Sequence, residues 1–358
     1  MFRKVFIFVF LLIAAHAFAQ QADFKLYLVG DAGENEITGE TLDSLKSKLL
    51  HNPESAIVFL GDNSYKNTFF GLAEGFKGFD SSRITQRKLN AQLDILKGYK
   101  GYAYFVPGNH DWWNKKQFAK GKRGLKMEES FIETNLGKNT TLANPTQTFL
   151  PKNGSPGPVS VELDNNKVRI VFIDTYWLIL LGFKDNPAQN IALANTFYHN
   201  LDSVLALATA LHQNVVIVAH HPVSHLGTVM AKPFKHPYFM GRLKQNSQTF
   251  PSYDTMAARI NAILTKYPDI YYASGHIHAL QYFTLKNTHY IISGAGSKTI
   301  PVKTTQDDSK PTVGGLCELW NDKGFFEIDF YKDYTPAVKI YHSNGRESID
   351  IKQPEAIK

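Results

Sequence analysis

Ala56-Ile57-Val58-Phe59-Leu60-Gly61-Asp62-Asn63-Ser64-Tyr65 decides how this chain is read. The first half is β-branched or aromatic and apolar on both faces, as a strand buried beneath helices must be. It stops on a glycine and an aspartate, so a carboxylate stands where the strand leaves its sheet. The pattern recurs. Phe24 to Val29 leads into Gly30-Asp31, and Tyr102 to Val106 leads into Pro107-Gly108-Asn109-His110-Asp111. Val215 to Ala219 leads into His220-His221-Pro222, and Ile270 to Ser274 leads into Gly275-His276-Ile277-His278.

Helical periods lie between these runs. Thr38 to Leu50 places Leu42, Leu45 and Leu49 on one face, Ser82 to Leu96 and Tyr253 to Tyr267 are similar, and Gln189 to Leu211 is longer. Strands alternating with helices imply an α/β sheet, whose ligands gather at the carboxyl ends of its strands. A second set of strands is expected at Val168 to Thr175, His289 to Gly294, Gly315 to Trp320, Phe325 to Tyr331 and Val338 to His342. Their short connections suggest a more antiparallel sheet. The expected fold is therefore α/β, with two packed mixed β-sheets flanked by helices. Residues 112–158 hold several Gly and Pro and show no clear period, so they read as an insertion near the site. Residues 343–358 read as a loose tail.

The N-terminus has a different character. Arg3 and Lys4 precede an apolar run from Val5 to Ala15, and Ala17-Phe18-Ala19 resembles a cleavage site. That is the layout of a secretory signal peptide over residues 1–19, leaving a single domain over residues 20–342. The mature chain is then expected to be secreted or periplasmic, with no membrane attachment after signal removal. Cys317 is the only cysteine of the 358 residues, so no intrachain disulfide can form. The formal charge of +7 falls to +5 without Arg3 and Lys4. That mild excess suits small anionic substrates and lacks the concentrated basic face that nucleic acid requires. Lys115, Lys116, Lys120, Lys122, Arg123 and Lys126 form one basic cluster, read either as steering for anions or as a solvated loop.

Asp31, Asp62, Asn109, His220, His276 and His278 all carry side chains that bind divalent or trivalent metals. With Tyr65 they are too many for one ion that must keep a position open for water. Two ions about 3.5–4 Å apart, bridged by a carboxylate, suit phosphoryl transfer better. Asp62 is the natural bridge because its strand should lie centrally.

These residues also name a family. Gly30-Asp31-Ala32-Gly33, Gly61-Asp62-Asn63-Ser64-Tyr65, Gly108-Asn109-His110-Asp111, Val218-Ala219-His220 and Gly275-His276-Ile277-His278 resemble the five metallophosphoesterase blocks. Leu280-Gln281-Tyr282 and Ser293-Gly294-Ala295-Gly296 are similar to stretches of the small tartrate-resistant enzymes of the purple acid phosphatase branch. Many metallophosphoesterases place a His where this chain has Gly33; Tyr65 can replace that ligand with a phenolate, a hard donor that favours Fe(III). The resemblance implies one site of Asp31, Asp62, Tyr65 and His278 holding Fe(III). It implies a second site of Asp62, Asn109, His220 and His276 holding Fe(II), Zn(II) or Mn(II), with His221 as the alternative to His220.

His110 matches the family's substrate-contacting histidine, Asp111 is placed to orient it, and His225 is a second candidate for substrate contact. Trp112 and Trp113 are candidates for a pocket wall, and Asp174 reads as structural. The function implied is hydrolysis of small phosphate monoesters by a metal-activated hydroxide. The alternative is a phosphodiesterase or nucleotidase using the same two metals. Oligomeric state is not legible in the sequence.

Overall fold

The computed structural model describes residues 22–35, 37–65, 79–112, 118–139, 141–180, 187–226, 228–229, 253–303, 317–332, 335–343 and 349–352. The signal-like segment over residues 1–19, Trp113, Lys115 and Lys116 lie outside them. Among the described residues the order opens with β1 (Phe24–Val29), α1 (Glu40–His51), β2 (Ser55–Phe59), α2 (Phe79–Asp94) and β3 (Tyr102–Phe105). Next come α3 (Phe118–Leu136), β4 (Val159–Leu163), β5 (Val168–Phe172), α4 (Thr175–Leu180), α5 (Pro187–Ala210) and β6 (Asn214–Val218). They are followed by β7 (Thr228–Val229), α6 (Tyr253–Leu264), β8 (Ile270–Ser274), β9 (Leu280–Leu285), β10 (Thr288–Ser293) and β11 (Val302–Lys303). The last strands are β12 (Cys317–Trp320), β13 (Gly324–Phe330), β14 (Ala337–His342) and β15 (Ile349–Lys352).

Two mixed sheets result. The first runs β15-β14-β13-β1-β2-β3, with β1, β2 and β3 parallel and the others antiparallel. The second runs β12-β9-β10-β8-β6-β5-β4, with β10, β8, β6 and β5 parallel and the others antiparallel. One core fills the space between the sheets. It joins Leu26, Leu28 and Val58 of the first to Ile170, Val216 and Ala273 of the second. The alternate residues Tyr27, Val29 and Ile57 belong instead to a core shared with Leu42, Leu45 and Leu49 of α1. Both faces of these strands are thus dry, which explains their unbroken apolar runs.

Three expectations need correction. The five apolar runs with polar ends do not share a sheet: β1, β2 and β3 lie in the first and β6 and β8 in the second. A run apolar on both faces shows that a strand is buried, and pairing alone decides with what. Residues 112–158 contain the regular helix α3, whose buried positions include Gly121, Gly124, Glu128 and Ile132. Lys120, Lys122, Arg123 and Lys126 therefore lie on a helix. The tail contains β15, which pairs antiparallel with β14. No helix among the described residues is long and apolar enough to cross a membrane.

Candidate metal centre

The carboxyl ends of the two sheets meet, and the meeting is made by backbone. Gly30, at the end of β1, donates its N–H across to Ser293 O of β10 at 2.7 Å and accepts Gly296 N–H at 3.0 Å, while Asp31 N–H to Gly61 O and Gly275 N–H to His220 O, both 3.0 Å, tie neighbouring strand ends within each sheet. Gly61 is required here: its φ is +85°, and a Cβ would lie 2.7 Å from His220 Nδ1. Asp31, Asp62 and His276 hold left-handed φ angles of 57°, 51° and 68°. Such angles cost free energy for residues with a Cβ, and they cluster where side chains must be aimed.

The expected ligands converge there. Tyr65 Oη lies 2.7 Å from Asp31 Oδ1 and 2.8 Å from His278 Nε2, and His278 Nε2 is 3.1 Å from Asp31 Oδ1. His220 Nε2 lies 3.1 Å from Asn109 Oδ1 and 3.3 Å from Asp62 Oδ1. Neighbouring corners of an octahedron with bonds of about 2.1 Å are about 3 Å apart, so both groups have the spacing of donors around one ion. Donor atoms of Asp31, Asp62 and His220 all lie within 4.8 Å of one another, which places Asp62 and His220 beside the first group as well. The donor set, buried apart from a half-buried Tyr65 and made of oxygen and imidazole atoms, fits hard divalent or trivalent metals.

His220 and His221 are both near. His220 Nδ1 lies 2.8 Å from Leu60 O, so it carries the proton and donates, leaving Nε2 directed at Asn109 and Asp62. His221 Nδ1 lies 2.9 Å from Thr175 Oγ1, and its ring stands 4.4 Å from that of His276. A second trio of donor atoms within 4.8 Å comprises His220, His221 and His276. His276 also fixes Asp31, donating its backbone N–H to Oδ2 at 2.7 Å.

Charge follows the same plan. Burial disfavours imidazolium, but Asp62, with Asp31 behind it, outweighs burial and raises His220 to about 9. Burial, reinforced by the His220 charge, lowers His276 to about 3. Against its own burial, Asp62 is held well below the usual carboxylate range by His220 and His110. The two aspartates thus demand positive charge, which a metal can supply in place of the His220 proton. Burial and the charges of Asp31 and Asp62 push the Tyr65 phenol well above its usual value. A phenol under that pressure ionises only against a highly charged cation.

Gly33 does more than lack a ligand. A Cβ there would lie 2.3 Å from the Asn63 carbonyl carbon. Gly33 N–H donates to Asp62 O at 3.1 Å, and Tyr65 N–H donates to Gly33 O at 3.4 Å. The loop carrying Tyr65 therefore folds onto the space that a side chain at position 33 would need.

His110 donates its backbone N–H to Asp62 Oδ1 at 2.8 Å, while its ring lies 4.8 Å from that of Tyr65 and is 35% exposed. Asp111 is fully buried, and its carboxylate accepts from Gly108 N–H at 2.7 Å, Ser64 N–H at 3.0 Å and Asn63 Nδ2 at 3.2 Å. It ties the loop of Asn109 and His110 to the loop of Asp62 and Tyr65. His225 is exposed, on a loop pinned where Leu226 N–H donates to Gln281 Oε1 at 2.8 Å. Trp112 is no pocket wall: it is fully buried and its Nε1 donates to Asp174 Oδ2 at 2.9 Å. Asp174 also accepts Trp177 N–H at 3.0 Å, and burial pushes it up to about 7.

Two residues near the centre escaped the sequence reading. Glu128 of α3 is fully buried and hydrogen-bonds the Asp111 carboxylate; burial and Asp111 push it well above the usual carboxylate range. Its helix was hidden, so the residue was too. Lys298, two residues beyond Gly296, has its Nζ 3.2 Å from the centroid of the Tyr65 ring. Its proximity to a recognised motif was the available signal.

Known proteins bear on this arrangement. The model of the calcineurin-like phosphoesterase family matches residues 24–280. No curated protein matches the chain by sequence. Solved structures share the fold. GAP50, the anchor in the inner membrane complex of Plasmodium, superposes with a TM-score of 0.56 at 15% identity over 94% of this chain and 90% of its own. A dimetal phosphatase from Danio rerio gives 0.51 at 12% identity over 93% and 99%. The purple acid phosphatase PPD1 from yellow lupin seeds gives 0.56 at 14% identity over 92% of this chain and 53% of its own. With strands, ligand loops and family model in agreement over the same residues, this chain belongs to the calcineurin-like phosphoesterase family.

Proposed function

We propose that the chain hydrolyses phosphate monoesters as an acid phosphatase does. In this reading Asp31, Asp62, Tyr65 and His278 hold Fe(III), and Asp62, Asn109, His220 and His276 hold Fe(II), Zn(II) or Mn(II). The observation that carries it is the triangle of Asp31, Tyr65 and His278 oxygen and nitrogen atoms, 2.7–3.1 Å on each side, beside a Gly33 whose side-chain space is occupied by backbone. When bound, two such ions supply Lewis acidity toward water and toward the phosphoryl oxygens, the trivalent one below neutral pH.

The chain's own residues do the rest. His110, anchored through its backbone and partly open to solvent, gives a proton to the leaving oxygen or hydrogen-bonds the phosphoryl group. Asp111 is a positioning residue that holds the His110 loop against the Tyr65 loop. The exposed His225 is available to the leaving group of a larger ester. The signal-like N-terminus would bring this chemistry to a secreted or periplasmic setting, on small phosphorylated substrates.

Oxidised, iron-loaded protein should show a broad visible band from phenolate-to-iron charge transfer. Tyr65→Phe should remove that band and leave the protein folded, since the ring volume is kept. A colourless enzyme with iron in both sites, or an unchanged band in the Phe variant, defeats the Fe(III)–tyrosinate reading. Initial rates on matched monoesters and diesters separate the alternatives: faster diester cleavage puts the phosphodiesterase or nucleotidase reading first.

A further inference from the structure

Between Gly294 and Lys303 the chain is tied to the ligand loops at successive points. Gly296 N–H donates to Gly30 O at 3.0 Å, the Ser297 hydroxyl donates to the Asp31 carbonyl, and Ile300 N–H donates to His278 O at 2.8 Å. Val302 then pairs antiparallel with Val229, downstream of the His220-His221 loop. Lys298 is therefore carried by a segment fixed to two of the candidate ligand residues. Its Nζ sits 3.2 Å from the Tyr65 ring centroid, and that ring's oxygen touches Asp31 and His278. The His110 ring lies 4.8 Å from the same tyrosine ring. A cation and a proton donor thus meet at one aromatic side chain of the centre.

The other partner of Lys298 is weak. Glu34 Oε2 stands 3.4 Å away, and the two side chains are 33% and 46% exposed. An ion pair so open to solvent contributes little and can be exchanged for a stronger anion. A phosphate dianion offers several charged oxygens to an ammonium already held in place. We propose that Lys298 is a substrate-contacting residue that binds a phosphoryl oxygen of the ester held at this centre, releasing Glu34 as it does so. The proposal rests on the phosphoesterase reading and adds to it a residue that no ligand motif contains.

Lys298→Met keeps the length of the stem and removes the charge, and Lys298→Arg keeps the charge. Four quantities are measured on metal-loaded protein: metal content per chain, affinity for inorganic phosphate by calorimetry, and kcat and KM for 4-nitrophenyl phosphate. The Met variant should keep its metal while phosphate affinity falls and KM rises by about tenfold, the worth of one charge-assisted hydrogen bond. Its kcat should change less than its KM, and the Arg variant should recover most of both losses. Unchanged phosphate affinity in the Met variant of an active enzyme overturns the proposal. So does loss of metal in that variant, which would make Lys298 a clamp on Tyr65. A wild-type protein that holds metal but hydrolyses no ester removes the phosphoesterase reading instead. Phosphate titration then still tests the anion contact: a fall in the Met variant supports it, and no change overturns it.

Discussion

Two clusters of buried carboxylates in this molecule keep different company. On the first sheet, Glu327 and Asp329 of β13 are almost fully covered. Lys25 of β1 reaches them at 2.7 and 2.6 Å, and Lys339 of β14 reaches Asp329 at 2.8 Å. Cross-strand neighbours close that cluster with charges from the chain itself. At the seam between the sheets, Asp31 and Asp62 are as deeply buried, but their close partners are imidazoles, backbone amides and a phenol. Near neutral pH a lysine stays charged and keeps neutralising its carboxylate, whereas an imidazolium becomes a metal ligand once its proton leaves. The partner type, rather than the burial, marks one cluster as structural and the other as a site.

That contrast can be broken. The largest effect is expected for Asp62→Asn, which removes the charge next to both donor groups. Metal content should fall, and turnover should drop by more than about 10³-fold, since bound metals supply several kcal/mol to phosphoryl transfer. An Asn variant with full metal content would show that Asp62 does not hold the ions. His110→Ala comes next. Turnover should fall about 10²–10⁴-fold with both metals retained, as for loss of a general acid. Equal metal loss in this variant would make His110 a ligand.

Lys25→Met addresses the other cluster and should leave hydrolysis intact. Denaturant unfolding should show a loss of about 2–3 kcal/mol, below the full cost of stranding a buried charge because Lys25 is partly exposed. Chelation should destabilise wild type and variant equally, because the two clusters are separate and their effects add. Unequal losses would mean that the clusters communicate.

The smallest effect is in pH. Burial acts against Asp329, but the Glu327 hydrogen bond and Lys25 lower it, so its contribution is present above the unfolded value, about 3.9, and is lost as pH falls through the folded one. Burial acts against Lys25 too, yet Glu327 and Asp329 raise it; that contribution is full below about pH 10.4 and is lost as pH rises through the folded value. Glu327, raised by burial and by Asp329, works in the opposite sense to Asp329. The stability gap between wild type and Lys25→Met should therefore be widest near neutrality and close in strong acid. A gap independent of pH would assign the loss to packing.

The sequence carried the strand ends well because the signal there is local: an apolar run, a glycine, then a polar donor. Asp31, Asp62, Asn109, His220, His276 and His278 were all legible in this way. Sheet membership was not, since β2 and β6 look alike until their hydrogen bonds are known. Helix α3 was hidden for a chemical reason. Its buried face does repeat at helical spacing, through Gly121, Gly124, Leu125, Glu128, Ile132 and Leu136. Two glycines and two glutamates, Glu128 and Glu129, are among its buried residues, so hydrophobic periodicity is diluted where the helix approaches the centre. Strand β15, Ile349-Asp350-Ile351-Lys352, alternates over too short a length to separate from a tail.

The seam has a consequence for how the molecule comes apart. Donors from the ends of β1, β2 and β3 belong to one sheet, and those from β6 and β8 to the other. Whatever binds among them is lost if either sheet opens, so its binding free energy weighs on both opening equilibria. Amide protons in β2 and in β8, though far apart in the chain, should then slow their exchange together when the centre is filled and quicken together when it is stripped. Cooperativity between the halves of this fold is set partly by an ion, and the ambient metal supply becomes a determinant of how long the folded chain resists proteolysis.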